Sequence, residues 1–199
     1  MINEIRNFDF KIMNEVANLI LLSNSNTIIA KIGKKFLINF FLKKCISSLK
    51  LKLFVYIQDD KVIAYAIIAN KQKFLNEEFA KFKLIILKKI IFNLKILQLI
   101  NLFLIVTNKD LILKKKYNSY NIKEIPNLTY LAVSKEKRNQ KIGRFFLEKI
   151  FNENYKNKYL TVETDNELTL NFYINYMKFQ IIGHRRRFPK KLYLLFKKI

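Results

Sequence analysis

One segment constrains the fold more than any other: an apolar strand, a short charged turn and an apolar helix follow one another without a break. The strand is predicted over Leu128–Val133 and the helix over Gln140–Tyr155. A helix that starts directly after a strand presents backbone N–H groups without intrahelical partners, together with its positive dipole end. This junction is suited to an anion such as pyrophosphate. Gly143 permits close approach to the backbone, and Arg138 and Arg144 add positive charge at the rim.

Strands and helices alternate along the rest of the chain, which predicts an α/β fold. Further strands are predicted at Asn3–Phe8, Leu51–Gln58, Val62–Asn70, Tyr159–Glu163, Phe179–Gly183 and Leu192–Phe196. Further helices are predicted at Phe10–Leu22, Ile32–Leu49, Asn76–Val106 and Asn166–Tyr176, the last with Asp165 or Asn166 as its N-cap. The polar segment Thr107–Ile125 is predicted to be a connector.

Composition favours one well-packed domain over 199 residues, because 51% of the residues are hydrophobic and only 3 Gly and 2 Pro interrupt them. Cys45 is the single cysteine and His184 the single histidine, which excludes an internal disulfide and argues against a Cys/His metal site. Cys45 is predicted to be a buried small hydrophobe. Residues 1–10 lack the pattern of a secretory signal, so a cytoplasmic location is expected.

The formal net charge of +23 has two interpretations. A coding bias towards Lys, Asn and Ile explains the lysines, whereas a selected anionic partner better explains why there are only 15 acidic residues. The apolar stretch Leu84–Val106 is interrupted by Lys88, Lys89 and Lys95, which disfavours a membrane span. It is predicted to pack on the sheet as a helix, or also to rest on an anionic membrane surface. No specific nucleic acid is expected.

Two motifs lie in order in the last third of the chain. The first is Leu131-Ala132-Val133 followed by Arg138-x-x-Lys141-x-Gly143; the second is a strand that ends at Asn166 and a helix that bears Phe172-Tyr173. A final strand with Phe179-Gln180-Ile181-Ile182-Gly183 completes the series. Over residues 126–188 this arrangement resembles the GNAT acetyltransferase superfamily, whose acetyl-CoA motif reads Arg/Gln-x-x-Gly-x-Gly/Ala and whose Asn and Tyr share the spacing of Asn166 and Tyr173.

The resemblance implies a fold and a reaction. The fold is a mixed, mostly antiparallel twisted sheet flanked by helices, with a long helical insert (75–106) before the central strand. The sheet is expected to splay between residues 130–133 and 159–163, with acetyl-CoA in the gap. One acyl-CoA N-acyltransferase domain would span residues 1–199, with residues 126–188 as its cofactor-binding and catalytic core. An acetyl group would pass directly to an amine, or less often to a hydroxyl.

The resemblance also implies residue roles. The backbone of Leu131 and Val133 would pair with the pantetheine arm, the amides of residues 140–144 would hold the pyrophosphate, and Asn166 would contact the arm. Tyr173 would protonate the leaving thiolate, since a phenol keeps its proton at neutral pH. The implied acetyl-CoA-binding residues are Leu131, Ala132, Val133, Arg138, Asn139, Gln140, Lys141, Ile142, Gly143, Arg144 and Asn166.

Two departures from the family pattern concern the same core. Lys141 replaces the usual central glycine, where it would either crowd the loop or add a cation beside the phosphates. Between Tyr173 and Phe179 the chain has one residue more than the family, with Lys178 at the usual glycine, so the end of this helix is expected to be reshaped.

The general base and the acceptor stay open at this point. Glu124 and Glu163 are candidate bases, although each also fits a surface carboxylate, and the His184–Arg187 run fits either a solvated basic face or a contact with an anionic group. The insert resembles, more loosely, GNAT proteins associated with surface-glycan assembly, which suggests a sugar acceptor. A protein or ribosomal N-terminus, a small amine, and a non-catalytic module that binds RNA or anionic membrane are the alternatives.

Overall fold

A computed structural model describes residues 1–23, 30, 33–74, 111–186 and 191–199. Its core is one eight-stranded sheet with the order β1-β2-β3-β5-β6-β8-β7-β4. The strands are β1 (Ile2–Ile5), β2 (Leu51–Gln58), β3 (Lys61–Ala69), β4 (Leu111–Leu113), β5 (Asn127–Val133), β6 (Tyr159–Thr164), β7 (Gln180–Arg186) and β8 (Lys191–Lys198). Every neighbouring pair is antiparallel except β5 and β6. The predicted α/β fold with a mostly antiparallel sheet is confirmed.

Four helical segments flank the sheet within the described ranges. They are α1 (Phe10–Ser23), α2 (Lys34–Phe36, a π-helical part Leu37–Leu42, and Lys43–Ser47), α3 (Ile142–Asn154) and α4 (Glu167–Asn171 followed by a π-helical part Phe172–Tyr176). Short 3₁₀ turns at Lys115–Tyr117, Ile122–Glu124 and Lys135–Lys137 complete the path. The side chains buried by α1 are Met13, Val16, Ala17, Leu19 and Ile20, whose spacing places most of them on one face of the helix.

The two faces of the sheet carry separate hydrophobic clusters because successive side chains of a strand point to opposite faces. Tyr65 and Ile67 of β3 pack in the cluster under α1 and α2, which also contains the buried Cys45 predicted from the sequence. Ala66 of β3 packs in the cluster under α3 and α4, together with the fully buried Phe146. Burying one such large side chain contributes roughly 1.5–3 kcal/mol. Helices on both faces therefore fix the path of the central strands.

β5 and β6 form a fork. Their parallel pairing is confined to Asn127 with Thr161 and Leu128 with Val162. Asn127 Nδ2 donates to Thr161 Oγ1 at 3.0 Å, and the Thr161 N–H donates to the Pro126 carbonyl at 2.9 Å, which holds the closed end together. β5 stays paired with β3 through Val133, and β6 stays paired with β8 through Thr164. Beyond the closed end the two strands therefore diverge, as the predicted splay required.

The end of α4 is reshaped as the sequence predicted. The Met177 N–H donates to the Phe172 carbonyl at 3.1 Å, a π-type hydrogen bond that encloses one residue more than an α-helical turn. Lys178 follows in the left-handed region at φ 60°, the position where helices usually place glycine. The Phe179 N–H then donates to the Tyr173 carbonyl at 2.9 Å, which ends the helix. The extra residue is thus absorbed as a π turn.

Several predicted boundaries were wrong. β1 ends at Ile5 rather than Phe8, and β7 continues to Arg186 because it pairs with β8 as far as Lys191. The predicted connector contains β4, which pairs with β7 beside Gly183. A Cβ on Gly183 would lie 2.2 Å from the Ile112 carbonyl oxygen, so glycine is what lets β4 approach.

The predicted helical insert at 75–106 lies outside the described residues. Within the described ranges, the helices are too short or too polar to span a bilayer.

Candidate functional site

The start of α3 lies beside the open end of the fork. The Phe145 N–H donates to the Lys141 carbonyl at 3.0 Å, which is the first hydrogen bond of the helix. The preceding N–H groups, from Lys141 to Arg144, have no acceptor in the described part of the chain. No side chain caps this end of α3. The helix therefore presents a set of unsatisfied backbone donors at its positive dipole end, as an anion site requires.

The loop before α3 owes its shape to two residues in the left-handed region. Asn139 has φ 62° and Lys141 has φ 59°. Left-handed backbone costs a residue other than glycine roughly 1–2 kcal/mol, and Asn tolerates it best. The family's glycine at the position of Lys141 is explained by this φ value. The Lys141 side chain is exposed.

Gly143 lies in the first turn of α3 against the fork. An added Cβ would lie 3.4 Å from Val133 Cγ2 and 3.9 Å from Phe172 Cζ, which is ordinary van der Waals contact. A methyl group is therefore accommodated at this position, whereas a longer side chain must project towards the donors or displace Phe172.

The open edge of β5 carries unpaired backbone groups. The Ser134 N–H donates to the Ile63 carbonyl on β3 at 2.8 Å. Since successive residues of an antiparallel strand direct their backbone groups to opposite sides, those of Val133 and Leu131 point away from β3 and into the fork. The side chain of Ala132 is buried under α1 and α2 and takes no part in the fork. The geometry fits an extended ligand that pairs with this edge.

Arg138 closes part of that edge. Its Nε donates to the Val133 carbonyl at 3.2 Å, and its Nη2 donates to Ser23 Oγ at the end of α1, also at 3.2 Å. Arg144 is directed elsewhere, because its Nε pairs with Glu148 Oε1 at 2.8 Å along the exposed side of α3. Of the two predicted rim cations, Arg138 is thus the one in contact with the fork.

Asn166 and Tyr173 lie on the opposite side of the fork from β5. Asn166 Oδ1 accepts the Thr169 N–H at 3.1 Å, which confirms Asn166 as the N-cap of α4. Tyr173 is 3% exposed and packs edge-on against Phe172 and Phe179. Its hydroxyl makes no hydrogen bond within the described residues. Burial raises the pKa of Tyr173 well above its usual value, so the phenol is protonated at neutral pH.

The two candidate bases have different surroundings. Glu124 is paired with Lys71 at 2.6 Å and with Lys73, and these ammonium groups lower the pKa of its carboxyl. It is a surface carboxylate with a strong preference for the ionised state, and it stands in the turn before β5. Glu163 is instead the first residue of β6 beyond the last β5–β6 pair, at the base of the fork. Only Glu163 is therefore placed at the fork.

Sequence reasoning missed the group that holds Glu163. Arg185 Nε donates to Glu163 Oε1 at 2.7 Å, and Gln72 Nε2 donates to the same oxygen at 2.5 Å. The Arg185 side chain is only 13% exposed, so of the two interpretations left open for this run, a solvated basic face does not describe this residue. Gln72, Glu163 and Arg185 are far apart in sequence and follow no periodic pattern. We refer to these three residues as the fork cluster.

Comparison with known proteins shows the fold. No protein-family model and no curated protein matches the chain by sequence. Solved structures match over nearly its whole length. One is a GNAT-family acetyltransferase of Streptococcus agalactiae, with a TM-score of 0.60 and 13% identity, covering 100% of this chain and 95% of that one. Another is an N-acetyltransferase of Staphylococcus aureus, with a TM-score of 0.60 and 15% identity, covering 99% of this chain and 100% of that one. The ribosomal-protein-S18-alanine N-acetyltransferase of Escherichia coli also matches (0.57, 12%, 100% and 94%). The chain therefore has the fold of the GNAT acetyltransferases.

Proposed function

We propose that this chain is an acetyltransferase that moves an acetyl group from acetyl-CoA directly to an amine. The observation that carries the proposal is the juxtaposition of two unsatisfied backbone surfaces: the N-terminus of α3 and the open edge of β5. One suits a pyrophosphate, and the other suits the amide-bearing pantetheine arm. The fold shared with GNAT acetyltransferases supports the same reaction.

Residue roles follow from this placement. The N–H groups from Lys141 to Arg144 would bind the pyrophosphate, with Asn139 and Gln140 shaping the loop ahead of them. Leu131 and Val133 would pair with the pantetheine arm through their backbone. Asn166 uses Oδ1 as a helix cap, which leaves its Nδ2 to donate to the arm. Arg138 would exchange its contact with Ser23 for a phosphate oxygen.

Tyr173 would supply the proton that the leaving thiolate requires. Its raised pKa and apolar surroundings keep the phenol protonated until the thiolate forms beside it. When bound, acetyl-CoA supplies the activated acyl group, and the protein supplies position, a dry environment and this proton. Entry of the thioester between β5 and β6 would bring it towards the Tyr173 side of the fork.

The acceptor is proposed only as a class, an amine. The Escherichia coli protein of the same fold is named as a ribosomal-protein-S18-alanine N-acetyltransferase. An amino sugar of surface-glycan synthesis, which the sequence resemblance suggests, is an alternative acceptor that is also an amine. The proposed location is the cytoplasm, where acetyl-CoA is made available. A basic surface that touches an anionic membrane is compatible with the net charge of +23.

Acetyl-CoA binding to wild type, Gly143→Glu and Gly143→Ala tests this function. The glutamate adds a negative charge within the donor set and is expected to weaken binding by up to about 1,000-fold, since unit charges about 4 Å apart near a surface interact by about 4 kcal/mol. The same charge favours the helix dipole, so the melting temperature should not fall. The alanine makes only van der Waals contacts and should bind normally.

Calorimetry at moderate and at high salt gives the decisive readout. Saturable binding that is lost only in Gly143→Glu supports the proposal. Absence of binding, or binding that disappears with salt and ignores Gly143, overturns it and leaves a cofactor-free basic surface as the explanation.

A further inference from the structure

The outward side of α2 is basic and carries one exposed aromatic ring. Exposed positions recur every four residues along this helix, and the residues between them are mostly buried. The four-residue spacing keeps the exposed positions on one side, because the middle of α2 is π-helical and its turns are wider than those of an α-helix. We refer to these exposed residues as the α2 face: Lys35, Asn39, Phe40, Lys43 and Ser47.

The sequence around the α2 face lacks acidic residues. No Asp or Glu occurs between Val16 and Gln58. The charged residues of this stretch are all lysines: Lys31, Lys34, Lys35, Lys43, Lys44, Lys50 and Lys52. On the α2 face itself, neither Lys35 nor Lys43 forms an ion pair with another residue that the structure describes. The positive charge of the face is therefore not offset within the described part of the chain.

The exposed side of α3 has a different charge pattern. There Arg144 pairs with Glu148 at 2.8 Å, and Lys149 Nζ lies 3.9 Å from Glu153 Oε1, so cations and carboxylates are mixed. A coding bias towards lysine acts on the whole chain, and it does not explain why carboxylates are present on one helix face and absent from the other. The local excess of positive charge at α2 indicates an anionic partner.

Two apolar side chains are exposed on and beside the α2 face. Phe40 is 48% exposed, and its ring stacks on that of the buried Phe36 with 5.6 Å between the centroids, so the core supports it from below. Leu49 is 95% exposed and follows two residues after α2 ends. Its carbonyl accepts Asn70 Nδ2 at 2.5 Å, which ties this turn to the end of β3. Lysines beside exposed apolar side chains match an anionic bilayer surface, where phosphates overlie an apolar layer.

We propose that the α2 face docks on the surface of an anionic lipid bilayer. Lys35 and Lys43 contact lipid phosphates, and Phe40 and Leu49 enter the boundary between headgroups and acyl chains. Single-stranded RNA also suits lysines beside an aromatic ring, but it has no apolar layer to receive Leu49. Because α2 and α3 pack on opposite faces of the sheet, docking leaves the start of α3 open to solvent. The inference goes beyond the acetyl-transfer reaction and does not depend on it.

Fluorescence can report on the α2 face directly, because the chain contains no Trp. Phe40→Trp places a single indole on this face. Tyr176→Trp is the matched control, since Tyr176 is 58% exposed on α4, which packs on the other face of the sheet. Phosphatidylglycerol vesicles should shift the emission of Phe40→Trp to shorter wavelength, and phosphatidylcholine vesicles should not. The emission of Tyr176→Trp should change with neither, and both variants should keep the wild-type melting temperature because both positions are exposed.

Co-sedimentation with phosphatidylglycerol vesicles measures what the lysines and Phe40 contribute. A lysine near an anionic bilayer raises the affinity roughly fivefold, so Lys35→Gln/Lys43→Gln should weaken binding about 25-fold. Phe40→Ser should weaken it about tenfold through the lost apolar contact. Lys149→Gln/Lys156→Gln removes the same charge from exposed positions in and just after α3. This control should change binding less than about twofold, since salt screens charges that lie away from the bilayer.

The outcomes separate the α2 face from net charge and from RNA. Equal losses in the two lysine double variants would overturn the proposal, because net charge alone would then explain the binding. An unshifted emission of Phe40→Trp on phosphatidylglycerol vesicles would also overturn it. If oligouridylate quenches Phe40→Trp while these vesicles leave its emission unchanged, the partner is RNA and not lipid. Acetyl-CoA binding is measured separately, so failure of either proposal leaves the other standing.

Discussion

The two sides of the fork present different kinds of polar group. On the α3 side the proposed ligand contacts are backbone N–H groups at a helix start, in a loop whose side chains are exposed. On the other side, side chains contact one another: Gln72 Nε2 and Arg185 Nε both donate to Glu163 Oε1. Backbone donors do not depend on which side chain a residue carries, so Lys141 contributes the same N–H group as a glycine would. A cluster of side chains depends on each residue.

The largest effect is expected at Tyr173, which lies between the two sides of the fork. Tyr173→Phe removes only a hydroxyl that has no hydrogen bond within the described residues. We expect kcat for thiol release from acetyl-CoA to fall about 100-fold, as for loss of a general acid, with acetyl-CoA affinity and melting temperature unchanged. A thiol-release assay measures kcat, and calorimetry measures the affinity for acetyl-CoA. A normal kcat in this variant would show that Tyr173 is a core aromatic residue whose hydroxyl has no role in the reaction.

Two Arg–Glu pairs of nearly equal length compare the sides directly. Arg185–Glu163 is 2.7 Å long with side chains 13% and 21% exposed, and Arg144–Glu148 is 2.8 Å long with side chains 48% and 44% exposed. Arg185→Met should cost about 2 kcal/mol in unfolding free energy, because it leaves a shielded carboxylate unpaired. Arg144→Met should cost about 0.5 kcal/mol or less. Urea unfolding measures both; equal losses would remove the distinction between the sides.

The α3 side of the fork is tested at Lys141, whose backbone lies in the left-handed region. Lys141→Gly relieves the positive φ and should raise the unfolding free energy by about 1 kcal/mol, with acetyl-CoA affinity changed less than about threefold. Lys141→Ala keeps the φ penalty while removing the charge, which isolates the contribution of the ammonium. Lys178→Gly relieves the same φ in α4, away from the donors, and should stabilise without any effect on binding. A large loss of affinity in Lys141→Gly would show that the lysine side chain itself binds the ligand.

The smallest effect is expected at Glu124, whose carboxyl pKa is lowered by hydrogen bonds from Lys71 and Lys73. A group with a lowered folded-state pKa stabilises above its unfolded pKa and loses that contribution as the pH falls through the folded pKa. The melting temperature of wild type should therefore exceed that of Glu124→Gln slightly at neutral pH, and the two should converge as the pH falls through the lowered pKa of the folded state. A difference that persists at low pH would indicate a contact other than the ion pairs.

Local sequence signals predicted most of the sheet and one side of the fork. The α3 junction is contiguous in sequence, so strand, turn and helix start were visible together, and the reshaped end of α4 followed from one extra residue. The fork cluster could not be predicted, because Gln72, Glu163 and Arg185 meet only through sheet order and have no common spacing. β4 was missed for a similar reason: three residues in a polar stretch become a strand only because Gly183 lets them approach β7.

The π turn in α4 has a consequence for the phase of the helix. Each residue of an α-helix advances the side-chain direction by about 100°, so one added residue would normally rotate everything after it. Widening a single turn keeps both Tyr173 and Met177 in the core, and the strand that follows is unaffected. The insertion is therefore confined to one turn. Deleting one residue at this turn should therefore close it into an ordinary α-helical turn without rotating the strand that follows.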